Sequence, residues 1–431
     1  MKKRFPKVHL NPNIEGLGIS ATVAINDRSN KLRAEGRDIL KLGLGESPFP
    51  VPDPVVEALK AAAHEKSYLP VKGLQELREA VAEHHVRTFE IDRKAEDVII
   101  GPGSKELMFL LQLVYYGDLI IPSPSWVSYA PQAKIIGRDI HWIDTRYENN
   151  WLIQAEELEQ ICFKDPEKAR LVIINYPSNP TGRTYSIDQL KDLAEVARKH
   201  RVVLLSDEIY AKLHHDGKHK SIVKLYPEGT IFSGGLSKWC GAGGWRLGLF
   251  VFPEGLRWLL NAMASVGSET FTSTSSPIQH AAVAAFHYND DIEKYLINER
   301  RILKALGAAL SEKLQQAGAR VKCPEGAFYL FPDFSDYSDK FRKNNIRNSK
   351  EMCEKLLDET GVAILPGSDF GRPENEFTAR LAYVDFNGRE ALEGVKKVPS
   401  NQNPGQEYLE KYCGRMLKAT DRICDWLNNI N

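Results

Sequence analysis

Apolar and polar positions show little periodicity over roughly the first 50 residues, until Ile39 to Pro50 reads as a short strand running into a Gly/Pro loop. Pro54 to Lys66 and Leu74 to Phe89 then carry helical spacing, the second with Leu74, Leu77, Ala80 and Val81 on one face. From there strands and helices alternate. Val98 to Ile100 and Leu119 to Pro122 read as strands, Ser104 to Tyr116 and Val127 to Ile136 as helices. Arg170 to Asn175 and Val202 to Ser206 are apolar runs of the kind buried on both faces of a parallel sheet, with a helix over Ile187 to His200 between them. The alternation continues through Thr230 to Phe232 and Leu247 to Phe252, and predicts an α/β fold with a mostly parallel sheet. Helices over Pro277 to His287 and Asp291 to Ala317 follow. Strand-like Ala327 to Phe331 and Thr378 to Val384, a polar loop over Pro399 to Gly405 and a last helix over Gln406 to Leu427 predict a smaller α+β unit. The expected division is a large domain over 51–295 and a small domain made of 1–50 together with 296–431.

Composition narrows the function classes. The 431 residues are 42% hydrophobic, enough for a large core and two or three domains. Lys+Arg and Asp+Glu both number 57, so no basic excess points to nucleic acid or to an anionic membrane. The 6 cysteines form no CxxC pair, which reads as reduced thiols of a cytoplasmic protein. The basic start is followed by Pro6 and Asn11-Pro-Asn instead of an apolar run, unlike a secretory signal. The charge-poor span Trp258 to Asn289 is interrupted by serines and threonines, unlike a membrane helix. His214, His215 and His219 flank the turn former Asp216-Gly217 and are expected on a solvated hairpin, so no metal site is expected. Cys240 is expected as a packed thiol, and Glu208 as a neighbour without chemistry.

The candidate chemistry centres on Ser233 to Gly248. Lys238 follows an apolar run and small residues, with Trp239 and Trp245 near it in sequence. An ammonium desolvated there has a lowered pKa, as a Schiff-base lysine needs. Arg246, eight positions on, offers a fixed fork suited to a phosphate. Gly101-Pro-Gly103-Ser104-Lys105 lies between a strand and a helix, where free backbone N–H groups can hold a phosphate. Trp126 stands just past the carboxyl end of a strand, where open α/β sheets bind ligands. Asp207 closes the buried strand Val202 to Ser206, a costly place for a carboxylate without a cationic partner. Asn175 to Gly182, with Asn179-Pro-Thr-Gly, is a turn at the end of another strand.

Together these stretches resemble the fold-type I pyridoxal phosphate (PLP) enzymes, class I/II aminotransferases, and most closely the class Ib aspartate aminotransferase subgroup. The similarity spans about Ile19 to Gly388 and includes Pro124-Ser-Trp-Val-Ser-Tyr129, Ser206-Asp-Glu-Ile-Tyr210 and Tyr68-Leu-Pro-Val-Lys-Gly73. It departs at Glu46-Ser-Pro, at Ser104 where glycine is usual, and after Phe386. The resemblance implies a seven-stranded, mostly parallel sheet and PLP as cofactor. It gives catalytic roles to Lys238, Asp207 and Tyr210. Asp207 would face the pyridine nitrogen; Asn179 and Tyr210 the 3′ oxygen; Trp126 the ring; Gly103, Ser104, Lys105, Ser237 and Arg246 the phosphate side. Tyr68 would reach the phosphate of the neighbouring subunit, which implies a homodimer with shared active sites. Gly45, Trp126, Asn179 and Arg380 would meet the substrate, Arg380 taking its α-carboxylate, and Lys105 would take a side-chain carboxylate.

The activity so implied is amino transfer between an L-amino acid, with aspartate or glutamate the expected donor, and a 2-oxo acid, by a ping-pong route through aldimine and ketimine stages. Alternatives on the same site are transfer from aromatic or neutral amino acids, and a C–S lyase or cyclopropane synthase. A non-catalytic PLP-fold regulator fits least, because Lys238 is present and no basic helix-turn-helix precedes the fold.

Overall fold

A computed structural model describes residues 9–287 and 289–430. A short strand β1 (Leu40–Lys41) precedes seven strands of one sheet: β2 (Val98–Gly101), β3 (Asp118–Ser123), β4 (Ile140–Asp144), β5 (Arg170–Asn175), β6 (Val203–Asp207), β7 (Thr230–Gly235) and β8 (Gly248–Val251). Their order across the sheet is β2-β8-β7-β6-β5-β3-β4. Neighbours run parallel except at β8, which is antiparallel to both β2 and β7.

The apolar runs explain why the sheet is covered on both faces. Successive residues of a strand point to opposite sides. Leu119, Ile121, Leu171, Ile173 and Leu205 enter a core beneath the helix Ser104–Val114. The intervening Ile120, Val172, Ile174 and Leu204 enter another beneath Ile187–Lys199, with Leu190 and Leu193. The pairing register sets Asn175 and Asp207, the last residues of β5 and β6, side by side with Ser233 of β7.

Beyond the sheet, β9 (Tyr329–Leu330), β11 (Leu365–Pro366) and β12 (Ala379–Ala382) form an antiparallel sheet of order β11-β12-β9, and β10 (Val362–Ala363) pairs in parallel with β1. The N-terminal arm thus joins the C-terminal part of the chain through β1. The long helix Asp290–Gln316 runs through the expected division at 295/296, so no loop marks that point. The final helix spans Gln406–Asn429.

Several elements carry no clear sequence signal. β4 is an edge strand with exposed positions, and the helix Ala21–Ala34 has only Ser29 buried. Helices also form at Ala155–Lys164, Arg257–Thr270, Ser349–Thr360 and Gly388–Val395. Of the expected solvated hairpin at the histidine cluster, the turn Asp216 to Lys218 is exposed, but the histidines are not free in solvent. His215 is buried with its ring nitrogens 3.1 Å from the Pro324 and Ala327 carbonyls, and His219 lies 2.6 Å from the Glu208 carboxylate. His215 ties the segment after β6 to the stretch 324–327, and His219 ties that segment to its own start at Glu208, which the turn former Asp216-Gly217 could not reveal. Among the described residues no helix is long and apolar enough to cross a membrane, and no cluster fit for a metal ion forms.

Candidate active site

The carboxyl ends of β5 and β6 open onto a cavity of about 300 Å³, closed from above by the N-terminal arm and by the C-terminal sheet. Every expected site residue except Gly103 and Tyr68 lines it. Gly103 stands at its edge, capping the helix that begins at Ser104. Its φ of +89° is one that side-chain-bearing residues avoid, and a Cβ there would lie 2.2 Å from Arg246 Nη2. Gly248 is equally constrained, since its Cβ would fall 2.0 Å from the Ser104 nitrogen. The two glycines bring a helix N-terminus and a guanidinium together. Arg246 itself holds a left-handed φ of +55°, a conformation a non-glycine residue keeps only where its surroundings impose it.

On the floor, Asp207 is 3% exposed and accepts hydrogen bonds from Tyr129 Oη at 2.6 Å and Ser233 Oγ at 3.3 Å. Burial raises its pKa to about 6 against the lowering effect of these donors and of the Ile209 amide. No cation among the described residues pairs with it. Asn175 donates to the Asp207 carbonyl and, through its own Oδ1, accepts from the Asn179 amide at 2.7 Å, so the turn after β5 is fixed to the end of β6.

Lys238 reaches the cavity with its Nζ donating to the Gly45 carbonyl at 2.5 Å. Desolvation, helped by the positive charge of Arg380, lowers its pKa to about 8. Arg380, on β12, is 1% exposed and donates to Asn179 Oδ1 at 3.1 Å and to the Gly43 carbonyl. Its Nε has no partner, and among the described residues no carboxylate pairs with the guanidinium. A buried arginine without a carboxylate, facing a cavity, is suited to receive one from outside.

Trp126 packs edge-on against Tyr129, with ring centroids 5.3 Å apart. Lys105 stands at the rim with Nζ 5.2 Å from the Trp126 ring, its pKa lowered by desolvation and by Arg246. Ser237 lines the wall next to Lys238. Tyr210 is buried with its hydroxyl 2.7 Å from that of Tyr329. Tyr68 is 89% exposed and belongs to no wall of this cavity. Glu208 accepts hydrogen bonds from Ser206 and Ser221 and lies 2.6 Å from His219, outside the cavity wall.

Sequence reasoning missed Tyr129, Asn175, Tyr329, Thr22 and Val23. Tyr129 and Tyr329 read as core aromatics, because nothing in a tyrosine's neighbours tells which way its hydroxyl points. Thr22 and Val23 lie on a helix with almost no amphipathic pattern.

Residues 37–383 match the family model described as aminotransferase class I and II. The chain belongs to that family. This aminotransferase is 33% identical to the aspartate aminotransferase of Bacillus subtilis over 395 residues, covering 89% of this chain and 97% of that protein. It is 32% identical to the aspartate/prephenate aminotransferase of Thermus thermophilus over 397 residues, covering 90% and 98%. Among solved structures, a Thermus thermophilus aspartate aminotransferase with maleate superposes with a TM-score of 0.80 at 32% identity, covering 90% of this chain and 98% of that one. The expected fold, fold type I with a mostly parallel seven-stranded sheet, is the one observed.

Proposed function

We propose that this aminotransferase holds PLP in the cavity and moves the amino group of aspartate or glutamate to a 2-oxo acid. The observation that carries it is a pair of buried charges on one cavity, Asp207 and Arg380, neither of which forms an ion pair among the described residues, with Lys238 also in its wall. The residues fit the cofactor's chemistry. The N-terminus at Ser104, with Ser237 and Arg246, suits a phosphate; Asp207 suits a protonated ring nitrogen; Asn179 and Tyr210 suit the 3′ oxygen; Trp126 suits a flat ring face.

Bound PLP supplies an aldehyde for an amine and a protonated ring that takes up the electron pair released at the substrate's Cα. Asp207 keeps the proton on that ring nitrogen. Lys238, with its pKa lowered to about 8, has far more free amine near neutral pH than an ordinary lysine, and would serve as the base that removes the proton from Cα and the acid that delivers it to the cofactor's aldehyde carbon. Arg380 fixes the α-carboxylate in a bidentate pair and so orients the Cα–H bond, while Lys105 at the rim takes a side-chain carboxylate.

The exposed Tyr68 supports a homodimer in which it completes the partner's phosphate site; sedimentation of the loaded enzyme checks this. The 6 cysteines, all free, support a cytoplasmic location. Transfer to prephenate, a 2-oxo acid with a second carboxylate on a non-aromatic ring, is a second reading, favoured by the double name of the Thermus relative. The test is a panel of amino donors with 2-oxoglutarate, glutamate formation being the readout. Aspartate is expected to lead; amino transfer from aspartate to prephenate as fast as to 2-oxoglutarate supports the second reading, and a panel with no active donor removes both.

A further inference from the structure

Tyr329 has no role in the residue assignments above, yet it touches both halves of the site. It is 1% exposed on β9, where Ala382 of β12 is its register partner, so it sits on the strand next to the one that carries Arg380. The Arg380 guanidinium lies 4.9 Å from the centre of its ring. Its hydroxyl is 2.7 Å from that of Tyr210, and the two rings meet edge-on at 82°. Among the described residues each hydroxyl is the other's hydrogen-bond partner. Gly45 leaves room for this arrangement, since a Cβ there would lie 2.0 Å from the Tyr329 oxygen.

We propose that Tyr329 is a positioning residue: its hydroxyl donates to the Tyr210 oxygen and so holds the Tyr210 proton toward the cofactor's 3′ oxygen. This assignment rests on the proposed function. A phenol has one proton, so if Tyr210 donates to the cofactor it must accept from Tyr329, and the donor roles within the pair follow. In a buried site a phenol that accepts a hydrogen bond becomes a stronger donor, because the two bonds polarise one another. The bond also crosses from the segment after β6 to the C-terminal sheet, so the aim of Tyr210 depends on that sheet being seated.

The experiment compares wild type, Tyr329→Phe, Tyr210→Phe and the double variant, reading the Kd of each apoenzyme for PLP by fluorescence titration and kcat/KM of each loaded enzyme. Tyr329→Phe keeps the ring against Arg380 and removes only the hydroxyl. In the wild-type background it is expected to weaken PLP binding and lower kcat/KM by roughly two- to tenfold, the range of one hydrogen bond. In the Tyr210→Phe background it is expected to change neither, because nothing is left to position. Equal losses in both backgrounds would mean that Tyr329 acts through packing and would overturn the assignment, as would the absence of any effect in the wild-type background. A wild-type apoenzyme that takes up no PLP would instead remove the proposed function itself, so the two failures are distinguishable.

Discussion

A methyl group on Gly45 would lie 2.0 Å from the Tyr329 hydroxyl and 2.7 Å from two atoms of its ring. The same glycine's carbonyl accepts the hydrogen bond from Lys238. Gly45→Ala therefore displaces a buried ring and the acceptor of the key amine together. The expected result is a loss of about 1–3 kcal/mol in urea unfolding, the usual cost of overpacking, with kcat/KM down at least about tenfold. Unchanged activity would show that the arm moves away without consequence.

Asp207 has three hydrogen-bond donors around it and, among the described residues, no cation in an ion pair with it. Asp207→Asn nearly keeps the shape and removes the charge that would hold a proton on the ring nitrogen. The expected loss in transition-state stabilisation is about 2–5 kcal/mol, the scale of a truncated buried charge pair. The check is kcat alongside PLP content measured after alkaline release; full kcat at full content contradicts the role.

The lowered pKa of Lys238 gives a pH dependence with a definite sign. Only the free amine attacks an aldehyde, and below a pKa of about 8 each pH step of one leaves about tenfold less of it. The rate at which apoenzyme takes up PLP should rise with pH, be half-maximal near 8 and level off about one pH step above that. Continued rise toward the ordinary lysine range, above 10, would show that Lys238 is solvated.

Much of this site could be read before the fold was known. Lys238, Asp207 and Asn179 end or follow strands whose apolar runs are unambiguous, and parallel sheets carry their ligands at those ends, so position in the pattern gave position in space. The tyrosines could not be read this way. Whether Tyr129 and Tyr329 fill a core or aim a hydroxyl at Asp207 and Tyr210 depends on packing between segments far apart in the chain, such as Tyr210 and Tyr329, separated by 119 positions. The histidines failed in the opposite direction: a local turn signal suggested exposure, while carbonyls of the segment 324–327 bury His215. The edge strand β4 and the helix Ala21–Ala34 lack the buried faces that make a period visible.

The proposed role of Lys105 in choosing the substrate can be tested by substitution. It stands at the rim beside Trp126, and no arginine lies between Arg257 and Arg300. Lys105→Ala should reduce kcat/KM for aspartate and glutamate by about 1–3 kcal/mol, the range for hydrogen bonds to charged groups, and leave alanine and phenylalanine nearly unaffected. An equal loss for all donors would assign Lys105 to the phosphate.

The most direct measurement is a half-reaction. PLP-loaded enzyme mixed with excess aspartate, without any oxo acid, should release one equivalent of oxaloacetate per active site and then stop, and added 2-oxoglutarate should restart it with formation of glutamate. Release of ammonia, continued turnover without the oxo acid, or no oxaloacetate at all would contradict amino transfer at Lys238.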